Sequence, residues 1–379
     1  MLKYWTAGES HGPALTAIVD GFPAGVPIDT AQIDWQLGRR QGGYGRGKRQ
    51  EIEHDKIEIT AGLWQGTTIG SPLCLQIKNL DHKLDRLSEL PRPRPGHGDL
   101  SGSIKYLSSI RGILERASAR ETAARVAAGA VAQQLLLAFG IRSVGYVVEL
   151  GGVRIEPIAE SFEQMLQERD RSEVYSLNSS RDDEIKRLID AAKSDGDTLG
   201  GVVETRVDGL PFGLGSHAQW DRKLDGRLAQ AVMSIQAIKG VEIGLGFEAA
   251  RRRGSQVHDA IQFDPQQIEL ATLGYRRPTN NAGGIEAGMT NGQSLIVRAA
   301  KKPISTLVRP LESIDMDTKQ PNLASYERSD VCAVPAASVI VESVVAFEIA
   351  AAMVEKFGGD SLEEMLARHA LFNELARNR

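Results

Sequence analysis

Ala123-Ala124-Arg125-Val126-Ala127-Ala128-Gly129-Ala130-Val131-Ala132 is the stretch that decides the fold. A helix built on this run is apolar almost all round, so it needs neighbours on several sides and belongs between layers. The spacing predicts a helix over residues 118–139, with Ser118 and Glu121 at the separation of a capping box. Residues 336–357 predict a second helix of the same kind. Alternation in Ile57-Glu58-Ile59-Thr60 and over residues 201–207, with apolar runs over 72–77 and 294–299, reads as strands. Apolar helices mixed with such strands favour an α+β fold in which helices are sandwiched between antiparallel β-sheets, over a doubly wound parallel sheet.

Working outward, residues 30–40 read as a helix capped by Asp29 or Thr30. The charged residues 157–194 read as two surface helices, 224–238 as a helix, 240–247 as a strand, and 361–378 as a short amphipathic helix. A strand–helix–strand order with a glycine bend occurs in both halves, which points to internal architectural duplication. No Ser/Pro/Gly-rich linker divides the chain. The expectation is a single domain over 1–379, with the helix near 360–379 peripheral.

At 379 residues the chain can bury a large core. A net charge of −4 argues against general affinity for nucleic acid or acidic membranes, so its arginines are read locally. Cys74 and Cys332 are the only cysteines, both in apolar contexts, and read as reduced core thiols. The sequence shows no signal segment and no apolar run approaching membrane-spanning length, which gives the expectation of a cytoplasmic enzyme.

Three segments carry chemistry. Gly8-Glu9-Ser10-His11-Gly12-Pro13-Ala14 holds a histidine in a glycine-bracketed bend after a short strand. Arg92-Pro93-Arg94-Pro95-Gly96-His97-Gly98-Asp99 holds a second in a proline-stiffened turn. Rigid backbone fixes the direction of an imidazole, which suits proton transfer near neutral pH. Arg116-Ala117-Ser118-Ala119-Arg120-Glu121-Thr122 places cations at a helix start, where they oppose the dipole unless an anion sits there. The plainer alternative is a salt bridge from Arg120 to Glu115 or Glu121.

Other motifs fail on context. Gly42 to Lys48 match GxxxxGK spacing, but Arg49 replaces the hydroxyl that would hold magnesium. The basic loop 39–49 reads equally as an RNA-binding surface or as a cover for a polyanionic substrate. Gly244-Leu245-Gly246-Phe247-Glu248-Ala249 matches G-x-G-x-x-A, yet an arginine run follows where a dinucleotide fold needs an apolar helix. No histidine forms a metal-ligand spacing with cysteine or carboxylate, so no metal is expected. The segments Asn281-Ala282-Gly283-Gly284-Ile285, Lys302-Pro303-Ile304-Ser305-Thr306 and Arg328-Ser329-Asp330 each suit a phosphate or the polar edge of a ring.

Taken in order, these segments resemble the chorismate synthase family from Tyr4 to about Gly358. The matches are GESHG at 8–12, RPGH at 94–97, RASARETAARVAAGA at 116–130, MSIQAIKGVEIG at 233–244, NAGGI at 281–285, KPIST at 302–306 and RSDVCAVPAA at 328–337. The resemblance implies a homotetrameric lyase of aromatic biosynthesis that converts 5-enolpyruvylshikimate 3-phosphate to chorismate. The reaction is an anti-1,4-elimination of phosphate that needs reduced FMN without net redox change. NADPH or an external reductase would keep the flavin reduced. The resemblance gives His11 the proton for the departing phosphate and His97 the protonation or holding of the flavin. Asp330 matches a carboxylate near the flavin, and Ser10 supports it. Substrate-binding positions correspond to Arg40, Arg46, Arg49, Arg94 and Arg120, with Arg328 shared. Flavin positions correspond to Arg116, Ala117, Ser118, Gln236, Ala237, Ala287, Lys302, Pro303, Ile304, Ser305, Thr306 and Arg328. Gly98, Ala117 and Ser329 stand where many members carry alanine, serine and histidine.

Overall fold

The computed structural model describes residues 1–47, 53–159, 161–327 and 329–379. Two antiparallel sheets enclose a layer of helices. In the first half, β1 (Lys3–Ala7) and β2 (Ala14–Asp20) are followed by α1 (Thr30–Gln41), then β3 (Ile57–Ala61), β4 (Leu73–Lys78) and the long α2 (Thr122–Leu137). The sheet order is β1-β2-β4-β3, all antiparallel. The second half repeats this plan with β5 (Arg142–Leu150), β6 (Gly201–Asp208), α3 (Leu224–Met233), β7 (Ile238–Ile243), β8 (Leu295–Lys301) and α4 (Val334–Phe357). Its order, β5-β6-β8-β7, is the same, with the short strand Val153–Arg154 added outside β5. The duplication expected from the sequence is therefore one of topology.

The apolar helices sit where their composition demands. Buried positions number 12 of 16 in α2 and 20 of 24 in α4. The two helices pack together, α2 also lying on β2 and β4, and α4 on β5 and β6. Their backbones approach closely because small residues meet. A Cβ on Gly129 of α2 would strike the Ser343 carbonyl oxygen of α4, and one on Gly145 of β5 would strike that of Ser338, so β5 also lies close against α4. One hydrophobic core runs through both sheets and the helices between them.

Several expectations are corrected. Against the expectation that no apolar run reaches membrane-spanning length, α4 is long and apolar enough to cross a bilayer. In its most apolar window 89% of residues are buried inside the protein, so tertiary packing accounts for that character. The capping box at residue 118 is absent. Ser118 instead caps a 3₁₀ turn (Ala119–Glu121), and the Glu121 carboxylate faces Thr6, Arg125 and Gln236. α3 ends at Met233, before the residue 238 read from sequence, because the strand β7 begins at Ile238. β7 in turn ends at Ile243 and is followed by 3₁₀ structure over Gly246–Arg251, which excludes a dinucleotide-type helix there. The sequence reading did not find β2, β5, or the short helices Asp99–Tyr106 and Ile110–Ala117.

Candidate active site

The N-terminal ends of α2 and α4 and the C-terminal end of α1 meet beside one cavity of about 510 Å³. The loops that follow β1 and β8, and the turn before Asp99, close its sides. Among the described residues its lining carries seven Lys or Arg against three Asp or Glu. In a chain of net charge −4, that excess selects an anion.

His11 occupies the bend between β1 and β2. Its Nδ1 lies 3.0 and 3.1 Å from the two Glu115 carboxylate oxygens, and its backbone N–H donates to Glu115 Oε2 at 2.8 Å. Glu115 is buried in the helix Ile110–Ala117. Burial pushes its carboxyl up, but the hydrogen bonds from His11 and the His11 and Arg111 charges together hold it below its ordinary value. Ser10 is buried behind this pair and accepts from the Ser118 hydroxyl at 3.1 Å. Asn79 ties the bend to the arginine cluster. It donates to the carbonyls of Glu9 and Gly12 and accepts from Arg120 Nε at 2.9 Å.

His97 is held in the same way from a different direction. Its Nδ1 lies 2.5 Å from Asp99 Oδ1. Asp99 is fully buried and also receives the Arg94 backbone N–H at 3.0 Å and Nε at 2.8 Å. Burial raises the Asp99 carboxyl, yet the hydrogen bonds and charges of His97 and Arg94 win and hold it far below the usual carboxylate range. Arg94 continues to Thr306 Oγ1 at 2.9 Å, which fastens this turn to the loop after β8. Each histidine thus has one ring nitrogen fixed by a buried carboxylate, which orients the ring.

The arginines divide by how they are occupied. Arg40 is spent on protein partners: Nε on Thr122, Nη2 on the Ala119 carbonyl, Nη1 3.5 Å from Asp55. Burial lowers its pKa to about 9 against the opposing pull of Asp55, with Arg120 and Arg46 adding repulsion. Arg120 bonds Asp55 at 2.7 Å, while its buried Nη2 makes no hydrogen bond. Its carboxylate partners are thus Asp55 and the more distant Glu53, in place of the Glu115 or Glu121 weighed from the sequence. Arg46 pairs with Asp330 at 2.6 Å, and Asp330 also accepts the Gly47 backbone N–H.

A family model described as chorismate synthase matches residues 2–354. A chorismate synthase of Trichlorobacter lovleyi is 57% identical over 378 residues, covering 96% of each chain. This chain belongs to the chorismate synthase family. A chorismate synthase of Geobacter sulfurreducens is 54% identical with both chains covered in full. A crystal structure of a chorismate synthase matches with a TM-score of 0.82 at 43% identity, covering 100% of this chain and 99% of that one.

Of the residues a chorismate synthase was expected to use, the cavity brings together Ser10, His11, Arg40, Arg46, Arg94, His97, Ala117, Ser118, Arg120, Gln236, Ala237, Asp330 and all of residues 302–306. Two lie elsewhere. Arg116 ends a separate short helix and donates to the carbonyls of Gly8 and Thr6, so it braces β1 and its bend. Its place in a last turn suits the helix dipole, so the dipole argument made for it from the sequence does not hold. Ala287 is in the turn of the hairpin Ile285–Glu286/Met289–Thr290 and does not line the cavity. Arg49 and Arg328 lie outside the described residues. Glu115 and Asp99 as the partners of the two histidines, and Lys301 as a lining residue, went unread. His97-Gly98-Asp99 carried a local signal in its spacing, and Lys301 breaks the apolar alternation of its strand. Glu115 meets His11 across 104 positions and had none.

Proposed function

We propose that this cavity converts 5-enolpyruvylshikimate 3-phosphate to chorismate by anti-1,4-elimination of phosphate, with reduced FMN bound and no net redox change. On this reading the protein is a carbon–oxygen lyase acting on phosphates, cytoplasmic and homotetrameric. The observation that carries it is two carboxylate-held histidines on one strongly cationic cavity.

The residues fit a flavin phosphate and ring. Among the described residues Gln236 Oε1 is buried without a hydrogen-bond partner, and the 302–306 loop presents an ammonium and two hydroxyls. Gln236, Ala237 and residues 302–306 would hold it, with Ala117 and Ser118 beside them. When bound, reduced FMN supplies an electron and a hydrogen acceptor for a ring C–H bond that these side chains are too weakly basic to break.

The chain's own residues handle charge. Phosphate leaves poorly as a full anion, so Arg120, through an Nη2 that makes no hydrogen bond among the described residues, and Arg46 would hold its oxygens. His11, braced by Glu115, would deliver a proton to the departing oxygen. Arg40 and Arg94 act by holding Thr122, Asp55 and His97 in place. His97, fixed through Nδ1 by Asp99, would keep a proton at the flavin, with Asp330 as the nearby carboxylate.

An anaerobic assay with photoreduced FMN and 5-enolpyruvylshikimate 3-phosphate, following chorismate absorbance and phosphate release, tests this. Equal release of both products is the expected result, and neither appearing overturns it. Replacing the reductant by NADPH tests whether the chain reduces its own flavin. Sedimentation tests the tetramer.

A further inference from the structure

β8 alternates cleanly. Leu295, Val297 and Ala299 are buried on its inner face, and the same face continues to Lys301, which is also buried. A lysine at a core-facing position breaks the pattern the strand otherwise keeps, and such breaks concentrate at functional sites. Its strand neighbours are Gly201 on β6 and Ile238 on β7, neither able to bind an ammonium through a side chain. Among the described residues the only hydrogen bond of its side chain is from Nζ to the Lys302 carbonyl at 3.3 Å, which leaves further donors unused there. Among the described residues no carboxylate is within ion-pairing distance. Asp330, an acid whose charge acts on it, is already taken by Arg46 and the Gly47 N–H. Lys301 lines the cavity.

We propose that Lys301 is a further ligand-holding residue of this cavity, its ammonium closing on an anionic oxygen of the bound cofactor or substrate. The proposal rests on the function argued above. Any proton that Nζ gains as the anion arrives comes from water or buffer and forms an N–H bond; nothing else is made or broken. Burial lowers the Lys301 pKa to about 8, with Cys332 and Asp330 opposing, and Arg46 and Lys302 adding to the fall. An incoming anion reverses that balance, because opposite charge favours the protonated form. The filled site therefore holds more of a proton on Nζ than the unliganded protein does.

Calorimetry at pH 8, repeated in two buffers of different ionisation enthalpy, reads this directly. FMN is titrated into the protein in one arm. In the other, 5-enolpyruvylshikimate 3-phosphate is titrated into the FMN-loaded protein. Lys301→Met and Lys301→Arg are compared with the parent chain. The methionine variant is expected to lose proton uptake in one arm and to bind about tenfold more weakly there. The arginine variant should recover affinity without recovering uptake, since guanidinium stays charged. The arm that changes names the source of the anion. Parent-like uptake and affinity for Lys301→Met in both arms would overturn the proposal. A parent chain that binds neither ligand would instead overturn the function on which it rests.

Discussion

His97 Nδ1 stands 2.5 Å from Asp99 Oδ1, and the same carboxylate is gripped by Arg94 from its backbone and its guanidinium. The acid is fully buried, so the cluster is a fixed charge array aimed into the cavity. His11 with Glu115 repeats the device on the bend after β1.

Asp99→Asn keeps the shape and removes the charge. Turnover should fall about a hundredfold, in line with losses when a histidine's orienting acid is neutralised. Stability at pH 7 should fall by about 3 kcal/mol, because Arg94 is left with an uncompensated buried charge. The sign with pH follows from Asp99 titrating lower in the folded than in the unfolded state. Its contribution is present above the unfolded value and is lost as pH falls through the folded one. Urea melts between pH 7 and 2 should therefore show a shallower acid loss in the variant. A slope identical to that of the parent would count against this assignment.

His11→Ala and Glu115→Gln should separate chemistry from positioning. The first is expected to fold and bind FMN while losing most turnover. The second should lose less, roughly ten- to a hundredfold, since the ring remains but loses the carboxylate that fixes its direction. Anaerobic stopped-flow measurement of chorismate formation distinguishes them, and parent-like rates in His11→Ala would remove it from the mechanism.

Arg120→Ala removes a guanidinium whose Nη2 has no hydrogen-bond partner. It should weaken binding of the phosphorylated substrate by about tenfold or more, the scale of a hydrogen bond to a charged group. Arg120→Lys should recover only part, because Nε and Nη1 also serve Asn79 and Asp55. Unchanged affinity by calorimetry in Arg120→Ala would place the phosphate elsewhere.

Gly129→Ala probes the helix layer alone. The added methyl meets the Ser343 backbone, which cannot step aside, so α2 and α4 must separate. A loss of about 1–3 kcal/mol is expected from such overpacking. Thermal melts of the variant check it, and a change below a few tenths of a kcal/mol would show that the helices yield.

Much of the fold and the site could be read locally. The apolar runs of α2 and α4 required burial on all sides, whatever surrounded them, because no polar face was available to meet water. Rigid turns marked His11 and His97 for the same reason, since local backbone chemistry is written in neighbouring residues. β2 and β5 escaped because strands declare themselves through partners distant in the chain. Ser118 failed as a capping box because Glu121 found Thr6, Arg125 and Gln236 instead.

What the sequence by itself determined was the layer type, the identity of the two imidazoles and the cationic character of the site. These follow from periodicity, stiff turns and residue type, which act over a few positions. The tertiary structure decided which acid serves which base: Glu115 with His11, Asp55 with Arg120, Asp330 with Arg46. It also decided that Lys301 is buried and Arg116 is turned aside. Charge pairing acts through space, over sequence separations of tens to hundreds of residues, so only the folded chain could settle it.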